Sequence, residues 1–231
     1  MGKVILEAPL SAKIGLLVIL GYVFTAVFAP WIAPYSETAI VGSSYELWTN
    51  EFTHGTDNIG RDMLSRLIFG ARNTIGISCA TVIVAFLIGG GTVMLAAILG
   101  GWYDMAISRL VDILMAVPSL IFALLLLTIF GTSVLSLILI IAVLDSTRVF
   151  RISRSAAMNV VVMEFVEAAR LRGEGMWWVI RKEVLPNITA PLLAEFGLRF
   201  CFVFLFIAAL SFLGLGIQPP TADWGSMVRE N

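Results

Sequence analysis

The side chains able to do chemistry in this chain are few, and most stand where charge is expensive. Asp112, Asp145, Glu195 and Arg199 lie in or beside long apolar runs, and a charge at the bilayer centre costs about 2.5 to 3.5 kcal/mol on insertion scales. Two readings account for them: hydrated or snorkelling groups toward one membrane face, or an intramembrane charge network with a function. Glu195 precedes Arg199 by four residues, so the two share a helical face in the favourable order and can pair. Covalent chemistry has no visible machinery. The sequence has no HExxH, GxSxG or GxxxxGK[ST], so any ATP hydrolysis falls to another chain and no catalytic residue is expected. An aspartyl protease built on Asp112 and Asp145 would need flanking glycines that are not there. His54 is the one histidine and has no companion ligands, so no metal is expected. Cys79 and Cys201 each sit in an apolar run without CxxC or Cys/His spacing and read as buried structural thiols.

The elements that must position these groups are membrane helices. Apolar residues make up 59% of the 231 and charged residues 13%, more apolar surface than one soluble core can hide. The net charge of −1 argues against a nucleic-acid partner; the solvent is the lipid bilayer. Five segments have the length and composition to span: 14–32, 74–99, 110–130, 134–149 and 191–213. The first is too long for a signal-peptide core and lacks a cleavage site, so it reads as a retained helix. The fourth is short and continues as a helix through Arg148, Arg151 and Arg154, with no Gly or Pro to stop it. Pro118 and Pro191 permit bends, and Gly89-Gly90-Gly91 with Gly100-Gly101 predict close helix packing.

An N-terminus on the cytoplasmic side best fits the positive charges. It places ten Lys and Arg inside, from Lys3 and Lys13 to Arg181 and Lys182, against Arg61, Arg66, Arg72 and Arg229 outside. The outer loop, 33–72, ends in a predicted surface helix, Gly60 to Asn73, and is a candidate docking surface. With no internal repeat or linker, the expected architecture is all-α: a polytopic transmembrane helix bundle forming one domain over 1–231.

The cytoplasmic loop, 150–190, carries the densest information. Glu167, Ala168 and Ala169 are helix formers, Gly173 permits the left-handed turn that ends a helix, and Pro186 is expected to close a second short helix. The result is a compact knob. Small side chains at Ala168 and Ala169 would admit a partner closely, while Trp177, Trp178 and Ile180 offer apolar contacts. An ordinary interfacial loop, with Trp at headgroup depth, is the other reading.

At this point the sequence resembles a known family, the inner-membrane permeases of binding-protein-dependent ABC importers. Their hallmark loop reads Glu-Ala-Ala, three residues, Gly, nine residues, an apolar residue, one residue, then Leu-Pro. Here Glu167-Ala168-Ala169, Gly173 and Leu185-Pro186 stand at that spacing, with Glu183 at the apolar place. Two further stretches are similar to the dipeptide, oligopeptide and nickel branch, in the partner with the shorter outer loop. They are Gly55-Thr56-Asp57-Asn58-Ile59-Gly60-Arg61-Asp62, and Leu210 to Pro220 with Trp224-Gly225.

The resemblance implies a permease subunit importing peptides, or a related small solute such as nickel, across a bacterial inner membrane. It implies a second homologous permease, two ATP-binding subunits that use the ATP, and a periplasmic solute-binding protein. The 164–186 loop would couple to the ATPase through Glu167, Ala168, Ala169, Gly173, Leu185 and Pro186, with Glu167 capping or orienting the knob. Gly55, Thr56, Asp57, Gly60, Arg61 and Asp62 would form the docking site for the binding protein. Such permeases carry a sixth span after the Trp-Gly segment, which these residues do not contain, so the chain reads as truncated or unusual. A membrane scaffold or receptor that transports nothing is the alternative.

Overall fold

After Lys13 the 23-residue stretch Leu10–Ile32 carries no charge and meets no proline until Pro30 in the last turn, and it forms α1, the first helix among the described residues. Leu17, Ile19 and Trp31 are among its many exposed side chains, as suits a helix whose solvent is hydrocarbon. The computed structural model describes residues 9–230; Lys3 and the rest of the N-terminal stretch, and Asn231, lie outside the described residues. Among the described residues eight more helices follow: α2 (Met63–Leu99), α3 (Gly101–Ala116), α4 (Ser119–Phe130), α5 (Val134–Val161), α6 (Glu164–Leu171), α7 (Met176–Val179), α8 (Leu185–Phe212) and α9 (Trp224–Glu230). A wider π-type turn, Ile180–Val184, joins α7 to α8. Among the described residues the only extended pairing is two isolated bridges, Ile40 with Arg61 and Thr56 with Asp62, so the fold is all-α.

Among the described residues three helical stretches are long and apolar enough to cross a membrane: Leu10–Ile32, Met63–Ala97 and Met176–Phe212. A fourth span results if α3 and α4 are taken together, but they meet at 91°. The single span expected over 110–130 is therefore broken. Pro118 is the cause, since its ring disfavours helical backbone at Val117, which is extended at φ −86°, ψ 132°. α5 runs for 28 residues, as its lack of Gly and Pro predicted, but its first eighteen already hold Asp145, Arg148 and Arg151. The separate surface helix expected over Gly60 to Asn73 is also corrected: α2 begins at Met63 and runs on without a break.

The chain gathers into two compact units, residues up to Ile77 with those from Ile207 on, and Ser78–Phe206. In the first, Asp223 caps α9 by accepting from the Ser226 N–H at 2.9 Å. The Trp224 indole N–H reaches the Leu67 carbonyl at 3.0 Å, and a Cβ at Gly70 would come within 2.7 Å of that ring. In the second, Gly89 lets α2 approach α5, because a Cβ there would stand 2.7 Å from the Ser146 carbonyl and 2.8 Å from Val149. The other glycines of that prediction do something else. Gly90 and Gly91 face open space, and Gly100 and Gly101, at φ +58° and +53°, make the turn between α2 and α3. Cys79 is half-buried and Cys201 exposed, so the expected burial of both thiols does not hold.

Candidate functional site

The knob is built on α6, whose N-terminal turn carries Glu164 and Glu167 and whose last turn carries Arg170, matching the sign of the helix dipole at each end. Gly173 closes it at φ +84°. Its N–H donates to the Arg170 carbonyl at 2.9 Å and the Glu174 N–H to the Ala169 carbonyl at 3.2 Å, the paired bonds of a Schellman cap. Val166 and Ala169 point inward and are fully buried with Val179, Val184 and Ile188, against Ala156, Ala157, Val160 and Val161 of α5. This cluster fixes the knob to the end of α5 and to the start of α8.

The two alanines therefore part company. Ala168 is exposed, whereas Ala169 packs inside and is closed to a partner. The tryptophans divide the same way: Trp177 is 56% exposed, Trp178 packs on the inner cluster and Ile180 is buried. Phe165 and Leu171 complete the outer face. Glu167 is exposed; its backbone N–H donates to the Met163 carbonyl at 3.3 Å, but among the described residues its side chain makes no hydrogen bond or ion pair and gives α6 no cap. Leu185 is half-buried and Pro186 exposed, but Pro186 does not close a helix. The π-type turn, in which the Leu185 N–H donates to the Ile180 carbonyl five residues back, carries the chain past it into α8.

Three of the four costly charges singled out in the sequence meet. Asp145 of α5 lies 3.2 Å from Arg148 and 3.5 Å from Arg199 of α8, both on its Oδ1. Arg199 Nε stands 2.6 Å from Glu195 Oε1, the predicted pairing, although the N–H is not aligned for a hydrogen bond. The Arg199 guanidinium also lies over the Phe202 ring, 4.8 Å from its centroid. Asp112 stays apart with Arg151, 2.8 Å away and half-exposed. Sequence reasoning missed the bidentate pair of Arg154 with Asp104, at 2.8 and 2.6 Å. The available signal was an acid just past the Gly100-Gly101 turn.

The residues expected to form the outer docking site are buried. Asp57 accepts from the N–H groups of Ile59 and Arg61 at 3.0 and 2.9 Å, from Arg61 Nε at 2.6 Å, and from Arg66. Arg61 and Arg66 then reach Glu230, at 3.5 and 3.2 Å. Burial pushes the Asp57 carboxyl up, but the Arg61 and Ile59 N–H groups and the Arg61 guanidinium outweigh it and hold the group below its ordinary value. Thr56 donates to the Ser43 carbonyl at 2.5 Å and accepts from the Glu46 N–H at 2.8 Å. Asp62 caps α2, taking the Ser65 N–H at 2.8 Å and its hydroxyl at 2.6 Å. Gly55 and Gly60 have φ of +72° and +87°, and a side chain on either would strike backbone, the Glu46 and Gly42 carbonyls respectively. The motif is thus a staple within its own unit, and the exposed surface of this loop is Tyr45, Leu47, Trp48 and Ile59. Glu230 is the partner that the motif did not announce.

Apolar helices, with no strand among the described residues and with a knob fixed between two of them, define a polytopic integral membrane component. Residues 89–231 match the family model described as binding-protein-dependent transport system inner membrane component, and 11–46 match the N-terminal TM domain of oligopeptide transport permease C. The di/tripeptide transport system permease protein DppC of Pseudomonas aeruginosa is 38% identical over 93% of this chain and 73% of its own length. The dipeptide transport system permease protein DppC of Escherichia coli K12 is 36% identical, over 95% and 76%. That of Alkalihalophilus pseudofirmus is 34% identical, over 95% and 73%. The chain belongs to the binding-protein-dependent transport system inner membrane component family.

Proposed function

We propose that this chain, as a single permease domain, passes small peptides inward across the membrane for an ATP-driven import system, taking its power from a separate ATPase through the 164–186 loop. The peptide substrate rests on the similarity to permeases named for di- and tripeptides. One observation carries the coupling role: the buried cluster of Val166, Ala169, Val179, Val184 and Ile188 fixes the knob to α5 and α8 while Ala168, Phe165, Leu171 and Trp177 stay exposed. A displacement of that outer face is passed to α8 without a flexible link, since α7, the π-type turn and α8 are continuous. Coupling then shifts the population between inward-open and outward-open states, each favoured by a different ATPase arrangement. A scaffold that transports nothing has no use for this attachment.

The partners on this reading are a second permease, two ATP-hydrolysing subunits and an external binding protein, and this chain binds no cofactor itself. The contact with the binding protein falls on exposed Tyr45, Leu47 and Trp48 rather than on the buried Asp57 network that supports them. Reconstitution of all subunits in proteoliposomes tests the function. Labelled glycylglycine should accumulate only with ATP, binding protein and this chain all present; equal uptake without this chain would refute the reading.

A further inference from the structure

A cavity of about 280 Å³ lies between α4, α5 and α8, beneath the break at Val117-Pro118. Its walls include Phe202 and Ile141 together with Ser119, Asp145, Arg148 and Arg199. Asp145 is 3% exposed, and both arginines approach the same oxygen, Oδ1. The other, Oδ2, is buried with no hydrogen-bond partner among the described residues. A buried carboxylate oxygen left bare is costly, so its persistence beside a cavity calls for a donor that enters from outside the fold.

The charges around Asp145 are arranged so that such a donor can come and go. Arg199 keeps Glu195 at 2.6 Å if it leaves Asp145. Arg148 is 41% exposed at its side chain and also reaches the Ser119 hydroxyl at 3.4 Å. Neither cation is stranded when Asp145 turns to another partner, which removes the main cost of breaking a buried pair. A cation entering the cavity gains Oδ2, and an anion attached to it meets Arg148 and the amino end of α4. Broken membrane helices beside buried charge are where transporters commonly hold their solutes.

The geometry points to a transit site in this cavity for a primary ammonium carrying a nearby carboxylate, with Asp145 Oδ2 as the acceptor of the ammonium. The ligand is a small peptide as its zwitterion, a dipeptide being short enough to bring its terminal ammonium and its terminal carboxylate into one cavity of this size, and this identification rests on the function proposed above. Asp145 is on this account a binding residue, Arg148 holds the carboxylate, and Glu195 keeps Arg199 occupied while the site is filled.

The test uses the assembled transporter in phosphatidylcholine nanodiscs, whose quaternary ammonium lipid cannot donate a hydrogen bond, with Ser119→Cys as reporter. Maleimide labelling of position 119, read by mass spectrometry, should slow about tenfold at saturating glycylglycine. N-acetylglycylglycine, which has no ammonium, should leave the rate unchanged. Asp145→Asn should abolish the protection and Asp145→Glu should keep it. If Asp145→Asn does not assemble, Asp145→Asn with Arg199→Gln removes the more buried of the two arginines, leaves only the part-exposed Arg148 at this site and carries the same expectation. Equal protection by both peptides, or protection that survives loss of the carboxylate, would overturn the site. Uptake of glycylglycine by the Ser119→Cys complex in proteoliposomes separates the two claims: uptake without protection refutes the site alone, and absence of uptake in the unmodified complex refutes the peptide reading beneath it.

Discussion

Gly173 and Asp57 show how single positions hold this molecule's two recognisable motifs. Gly173 has a positive φ and donates the cap bond to Arg170, so Gly173→Ala costs about 1 kcal/mol from the left-handed backbone alone. Gly173→Pro forbids that φ and also deletes the N–H. It should uncouple ATP hydrolysis from uptake while membrane insertion is unchanged, and ATPase and transport rates measured together in proteoliposomes check this. The glycine's role was legible because helix formers, then Gly, read as a helix end at any surface. Asp57 was not. A run of Gly, Asp and Arg reads as exposed, and its burial is possible because Arg61 and Arg66 neutralise Asp57 while Glu230, far along the chain, pairs with both arginines. Its lowered pKa means the bound carboxylate stabilises the loop above the ordinary value of 3.8, and that contribution is lost as pH falls through the lower folded value. Amide exchange of Thr56 to Asp62 should therefore accelerate as pH drops below about 3.8 relative to the intrinsic rate, whereas Asp57→Asn, which leaves two buried arginines short of a partner, should open the same segment at neutral pH by about 3 kcal/mol or more.

At the scale of the element, the sidedness of α6 decides what the loop can touch. Eight residues are too few for periodicity to reveal which face packs, so Ala168 and Ala169 look alike in the sequence and opposite in the fold. Ala169→Leu should overpack the cluster with α5 and cost about 1 to 3 kcal/mol. Ala168→Leu should leave thermal stability unchanged and lower ATPase-dependent uptake by obstructing the partner. Thermal unfolding and uptake assays on both variants check the pair. Proline was misread for a related reason. Pro186 reads as a terminator, yet the π-type turn before it already omits the regular helical bonds, so the chain continues. Pro118 was legible as a bend, but the 91° between α3 and α4 was not, since a proline marks the place of a bend and not its angle.

At the scale of the molecule, the central proposal is that this permease is driven through a firmly packed knob. The all-α membrane character and the family were legible because apolar length and the spaced Glu-Ala-Ala, Gly and Leu-Pro residues are local features. The charge cluster at Asp145 was legible only as four separate costly residues, since its grouping depends on how α5 and α8 face each other. The central claim is tested most directly by cross-linking Ala168→Cys to a cysteine on the co-expressed ATP-hydrolysing subunit, in membranes, with and without ATP. Ala168 lies on the exposed face of α6, so a cross-link should form and its yield should change with ATP. A well-inserted, assembled complex that gives no cross-link, or one indifferent to ATP, would contradict the coupling role.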